Sequence, residues 1–122
     1  DEILRMLQTP RNIVEADLSE VEILIQLSNL LLDSLRRATP ANALALRNKF
    51  FSKDAHNYDL DLFIHIFTYI LLQRYLATNS TVYVNVLLLT NTFKKNLKVM
   101  LVDPKDLMDN WILKIKGELS NV

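Results

Sequence analysis

The chain contains no cysteine among its 122 residues. This absence excludes disulfide bonds, zinc sites built from thiolates and a cysteine nucleophile. A lack of disulfides is typical of proteins in a reducing compartment. We therefore expect an intracellular protein, cytoplasmic or nuclear.

Glycine is nearly absent, since Gly117 is the single one. Phosphate-binding loops, dinucleotide fingerprints and nucleophile elbows all need glycine where the backbone approaches a ligand closely or adopts a positive φ. None of these motifs is present in the sequence, so we expect no cofactor and no enzymatic activity. Gly117 itself is expected to help end the last helix.

The three prolines each follow a residue that caps helices, in the pairs Thr9-Pro10, Thr39-Pro40 and Asp103-Pro104. Proline suits the first helical position, because its missing N–H would have no partner there. The preceding Thr or Asp can accept a hydrogen bond from a free amide of the first turn. Each pair therefore predicts the start of a helix.

The sequence predicts an all-α fold, because it has 24 leucines and one glycine. We expect an irregular bundle or short superhelical stack of five to six helices in one domain over residues 1–122. The first residue is Asp1 rather than Met, and we interpret the domain as excised from a longer protein.

Apolar spacing and caps place these helices along the chain. Residues 82–86 also fit a strand, but no second strand is found to pair with it. Residues 60–72 are apolar nearly all round, which predicts a central helix, and Trp111 is expected in the core. The predicted segments are short pieces at 3–8 and 10–16, a helix from a Ser19/Glu22 capping box to about 37, and helices at 40–51, 60–77, 81–101 and 104–118.

Charges are segregated although the formal net charge is zero. Residues 1–35 carry seven acids and two arginines, whereas residues 36–53, the basic segment, carry five cations and no acid. We expect the Phe50-Phe51 pair to lie exposed among these cations. The candidate binding residues are Arg36, Arg37, Arg47, Lys49, Phe51 and Lys53.

Two alternatives bear on this basic segment. Cations beside aromatic residues suit an acidic protein partner or an anionic membrane surface. The ordinary alternative is a solvated helix face whose Leu44, Leu46 and Phe50 pack into the core. A second basic group, Lys94, Lys95 and Lys98, is explained by the negative end of its helix.

A polar cluster near residue 60 could carry chemistry. Histidine with carboxylates can bind a divalent metal or pair a base with its orienting acid. The favoured interpretation is structural, because no spaced ligand motif is present. In this interpretation Asp54, His56 and Asp59 are loop and cap residues, and His65 forms an ion pair with Asp61. We therefore predict no metal site. The cluster consists of Asp54, His56, Asp59, Asp61 and His65.

These observations favour a non-catalytic protein-interaction module, a scaffold or adaptor, that binds a protein partner through the basic segment. The alternative is a membrane-trafficking adaptor that binds anionic lipid headgroups through the same residues. An enzyme that uses His56 and His65 is the third hypothesis. An isoelectric point near 7 argues against nucleic-acid binding as the main task.

Overall fold

Helices make up the regular structure in the part of the chain that the computed structural model describes, residues 18–53, 56–99 and 101–121. No strand occurs in these residues, which confirms the all-α prediction. The pieces predicted at 3–8 and 10–16, with Thr9-Pro10, lie outside them. The helices are α1 (Leu18–Ser34), α2 (Pro40–Leu44), α3 (Leu60–Thr78), α4 (Thr81–Val99) and α5 (Pro104–Leu119), with 3-10 turns at Leu35–Arg37 and Ala45–Lys49.

The predicted caps start three of these helices. The side chains of Thr39 and Asp59 each accept a hydrogen bond at 3.2 Å from the backbone amide three residues later. Asp103 accepts one at 2.9 Å from the amide two residues later. Pro40 and Pro104 occupy the first turns of α2 and α5. The structure therefore shows the cap hydrogen bonds and the first-turn prolines from which the helix starts were predicted.

Other helix ends differ from the prediction. Ser19 lies inside α1 rather than at its N-cap, because Leu18 before it is already helical. Gly117 lies inside α5 and does not end it, since the helix continues to Leu119. Asn79 follows α3 as its C-cap, with a left-handed backbone at φ 56°. Its N–H donates to the Tyr75 carbonyl at 2.7 Å, which satisfies one of the free carbonyls at the end of α3.

Helix α3 is the centre of the core, as predicted. It lies between α1 and α4, and α4 in turn packs against α5. Phe63, Ile66 and Phe67 are fully buried. By length and composition alone α3 could cross a membrane, a test that the core helix of a soluble protein also passes. In this structure most of its apolar side chains pack in the core, whereas Leu72 and Leu76 are exposed.

Trp111 of α5 contacts both α3 and α4, which confirms its predicted place in the core. Its ring stacks on Phe93 of α4, with ring centroids 4.9 Å apart. It also meets Phe67 edge to face at 5.5 Å. The indole N–H donates to the Thr90 hydroxyl oxygen at 3.1 Å. The largest aromatic side chain is thus buried with its polar atom satisfied.

Candidate functional site

A groove lies between the C-terminal half of α1 and residues 38–52, with a volume of about 490 Å³. We call it the α1–α2 groove. Its mouth includes Leu30, which is 60% exposed. Its volume falls within the range of about 300–1,000 Å³ that is usual for binding sites. The lining consists of Leu27, Leu30, Leu31, Ser34, Leu35, Ala38, Asn42, Ala43, Ala45, Leu46, Asn48, Lys49 and Ser52.

The sequence explains why this space is open. Helix α1 stops at Ser34, and Ala38 and Thr39 are extended, so the chain turns before Pro40 starts α2. The wall that faces the leucines of α1 includes three alanines, Ala38, Ala43 and Ala45. Alanine side chains are too short to reach across to the leucines. The mismatch between large and small residues leaves the groove.

The six candidate binding residues do not form one cluster of free cations. Arg37, Lys49 and Lys53 are exposed, and Lys49 lines the groove. Arg37 and Lys53 adjoin the lining residues Ala38 and Ser52 in the chain. The part of the basic segment that faces solvent therefore borders the groove.

The two remaining arginines are tied to α5. Arg47 Nη1 donates to Asp109 Oδ2 at 2.8 Å, and both side chains are about a quarter to a third exposed, at 36% and 24%. Arg36 is half-buried, and its carbonyl oxygen accepts a hydrogen bond from Lys116 Nζ at 3.0 Å. These contacts give both residues a role in holding the segment to the core, and Arg47 has its charge compensated.

The expectation of an exposed Phe50-Phe51 pair is wrong for Phe50. Phe50 is 5% exposed, and its ring lies 5.0 Å from that of Phe63 and 6.4 Å from that of Tyr58. Phe51 is half-buried and packs against the core. The solvated-face alternative predicted that Leu46 and Phe50 pack into the core, and both residues are buried.

Within the polar cluster near residue 60, His56 and Asp59 both contact Glu20 of α1. His56 is exposed, and its Nε2 lies 4.0 Å from Glu20 Oε1. The same Glu20 oxygen accepts a hydrogen bond from the Asp59 amide at 3.1 Å. Asp54 is outside the described residues. Within residues 18–53, 56–99 and 101–121, no three metal-ligating side chains are close enough to hold an ion.

Reasoning from the sequence did not identify a polar contact centred on Arg74. Arg74 Nη1 donates to Asp33 Oδ1 at 2.7 Å, and Nη2 donates to Asn29 Oδ1 at 2.9 Å, which links α3 to α1. The hydrogen bond and charge of Arg74 lower the pKa of Asp33, against a smaller opposing effect of burial. Burial lowers the pKa of Arg74, but hydrogen bonds to Asp33 and Tyr83 outweigh it and leave this pKa raised.

Asp33 and Arg47 thus show where the segregated charges go. Asp33 of α1 pairs with Arg74 of α3, and Arg47 of the basic segment pairs with Asp109 of α5. Neither pair joins the acidic part of the sequence to the basic part.

No protein-family model, curated protein or solved structure matches this chain. A functional hypothesis therefore depends on the groove and the charges around it.

Proposed function

We propose that the chain is a non-catalytic protein-interaction module, a scaffold or adaptor built as an irregular helical bundle, and that the α1–α2 groove binds its partner. The observation that carries this proposal is the concave apolar lining with solvent-exposed Leu30 at its mouth. Water held against such a surface is released when apolar side chains of a partner fill it.

The partner chemistry follows from the shape and the charges. A groove along one helix accepts an amphipathic helix whose apolar residues recur at every third or fourth position. Lys49 in the lining, with Arg37 and Lys53 next to it in the chain, favours acidic residues beside that apolar stripe. We propose an acidic amphipathic helix of another protein as the partner.

The lining also supports a binding role over a catalytic one. Lys49 is its one titratable side chain, and the other polar groups are the hydroxyls of two serines and the amides of Asn42 and Asn48. General acid–base catalysis needs a positioned group that gives or takes a proton, and nucleophilic catalysis needs an activating base. A single exposed lysine beside apolar walls supplies binding and charge recognition.

The test uses a display library of amphipathic helical peptides. Selection on the chain should enrich peptides with acids flanking an apolar stripe. Ala45→Leu should weaken their binding by about tenfold or more, because the new side chain fills the groove from an exposed position. Ala41→Leu is the matched control, since Ala41 is exposed in α2 but is not part of the lining.

Charge reversal separates the groove from the lipid alternative. Lys49→Glu should slow peptide association, with Lys114→Glu on the exposed side of α5 as control. Phe51→Ala should also weaken binding, and its melting temperature must be compared because Phe51 packs on the core. Unchanged binding in Ala45→Leu and Lys49→Glu would reject the groove. Binding to phosphoinositide vesicles that Lys49→Glu abolishes, without peptide selection, would establish the lipid alternative.

A further inference from the structure

The end of α4 and the turn into α5 contribute no buried residue among those that the structure describes. Phe93 is the last buried residue of α4, and Met108 is the next one along the described chain. Between these two, each residue whose burial is described is exposed or half-buried. We call residues 94–99 and 101–106 the α4–α5 tip.

Large apolar side chains stand in solvent at this tip. Val99 is 58% exposed, Leu101 is 89% exposed and Val102 is 51% exposed. Leu101 is the most exposed of the large apolar residues in the described chain. Scattered exposed leucines are normal, whereas three exposed large apolar residues within four positions of the chain are a candidate interaction site.

Lysines accompany the apolar patch on its α4 side. Lys94, Lys95 and Lys98 are exposed, and Lys95 is one helical turn before Val99. The negative end of α4 accounts for cations there, but it gives no reason for exposed valine and leucine beside them. The combination suits a surface that is both anionic and apolar.

The acids of the tip only partly offset these lysines. The tip holds four lysines, including Lys105, against Asp103 and Asp106. The Asp103 carboxylate is engaged by the Lys105 amide at 2.9 Å as the cap of α5. The excess of positive charge therefore lies on the α4 side, where the three exposed lysines are.

We propose that the α4–α5 tip inserts into the interfacial layer of an anionic membrane. Leu101 and its apolar neighbours enter the boundary between headgroups and acyl chains, and the lysines meet the anionic headgroups. A protein partner would need a pocket that matches these exposed side chains, whereas a lipid surface needs no matching shape. The tip shares no residue with the α1–α2 groove, so this proposal is independent of the proposed function.

Co-sedimentation with vesicles tests the charge component. The chain should bind phosphatidylcholine vesicles that contain phosphatidylserine and should not bind pure phosphatidylcholine. Each of Lys95→Gln and Lys98→Gln should lower the partition coefficient by about fivefold, the equivalent of ~1 kcal/mol per cation near the surface. Lys114→Gln on exposed α5 is the matched control. Equal losses in the control would overturn the proposal.

The apolar component needs its own variants. Leu101→Ser should lower partitioning by about tenfold, because each buried methylene contributes ~0.8 kcal/mol. Leu76→Ser is the control, since Leu76 is 70% exposed and lies in the last turn of α3, next to the start of α4 rather than its end. Melting temperatures of both variants should match that of the parent chain, because neither residue is buried.

A gain-of-signal variant reports insertion directly. In Leu101→Trp, the new indole should shift its emission to shorter wavelength on vesicles and be quenched by brominated acyl chains. Trp111 is 2% exposed and gives a constant background. Leu76→Trp should show no change. Unchanged emission of Leu101→Trp, no binding to anionic vesicles, or a dimer that Leu101→Ser dissociates would each overturn the membrane proposal.

Discussion

Thr90 and Trp111 show at the scale of single residues how the core accommodates polar groups. The Thr90 hydroxyl donates to the Val86 carbonyl at 2.8 Å and accepts from the indole N–H at 3.1 Å. Both residues are buried. A buried donor without a partner would cost about 1–3 kcal/mol. The pair therefore lets α4 and α5 meet through a tryptophan without that penalty.

Phe67→Ala tests the central position of α3. Phe67 has no exposed surface and contacts both Phe63 and Trp111. Its truncation should lower the free energy of unfolding by about 3–5 kcal/mol, through lost burial and the cavity left behind. Urea denaturation measures this change, and Leu76→Ala on the exposed end of the same helix is the control. A loss below about 1 kcal/mol would place Phe67 outside the core.

Asn79 offers a test of backbone conformation. Its φ of 56° lies in the left-handed region, which asparagine and glycine tolerate better than other residues. Asn79→Gly should leave stability unchanged or raise it, whereas Asn79→Ala should lower it by about 1 kcal/mol. Asn96→Ala, at an exposed position inside α4, is the control in thermal denaturation. Equal stability of the Ala and Gly variants at 79 would contradict the left-handed assignment.

At the scale of elements, the starts of α2, α3 and α5 could be predicted from the sequence, whereas the end of α5 could not. Thr39, Asp59 and Asp103 act on amides two or three residues away, so the sequence itself contains the interaction. Gly117 has no neighbour within 4 Å of the position a Cβ would take, and nothing at that site requires glycine's conformational freedom. A glycine near the end of a helical pattern was therefore misleading.

The α1–α2 groove could not be predicted from the sequence for a related reason. Its volume depends on which leucines of α1 face which alanines after the turn at Ala38, and periodicity does not determine that pairing. The sequence did identify Lys49 and its neighbouring cations. It placed Phe50 wrongly among the exposed residues, because the burial of Phe50 depends on contact with Phe63.

The contact between α1 and α3 should make stability depend on pH. Arg74 lowers the pKa of Asp33 in the folded chain, so the charged carboxylate is stabilised more in the folded chain than in the unfolded chain. This contribution is present in full above the ordinary aspartate pKa, about 4, and is lost as the pH falls through the lower folded value. Asp33 is 64% exposed, so we expect less than about 1 kcal/mol.

Urea denaturation over a pH series measures this contribution. Asp33→Asn should remove the part of the stability loss that Asp33 causes below about pH 4. Arg74→Gln should remove the same pH-dependent part, although it lowers stability at every pH by breaking the contact with Asn29. The double variant should remove no more than either single one. Unaltered pH dependence in Asp33→Asn would contradict the pKa assignment.

At the scale of the whole molecule, contacts distant in sequence hold the helices together. Arg47 and Asp109 are 62 positions apart, and Arg74 and Asp33 are 41 apart. The charge segregation seen in the sequence carries no information about these partners, because it describes neighbours along the chain. The fold class could therefore be predicted from composition, but the arrangement of the helices could not.

A chelator tests the whole chain for a metal requirement. Any ion that binds the native state must raise the melting temperature, so its removal must lower it. The described residues hold no cluster of three ligands, and we expect the same melting temperature with and without chelator. A clear drop that His56→Ala or His65→Ala abolishes would show a metal site and contradict this prediction.

The two short helical stretches that form one wall of the groove have a consequence for local unfolding. Helices of five residues each cannot persist alone in water, so residues 40–49 depend on docking against α5. Their amides should exchange with deuterium through local openings, while those of α3 exchange only as the whole chain unfolds. A partner seated in the groove would slow exchange in residues 40–49 far more than in α3. Amide exchange would then map the occupied site without any substitution.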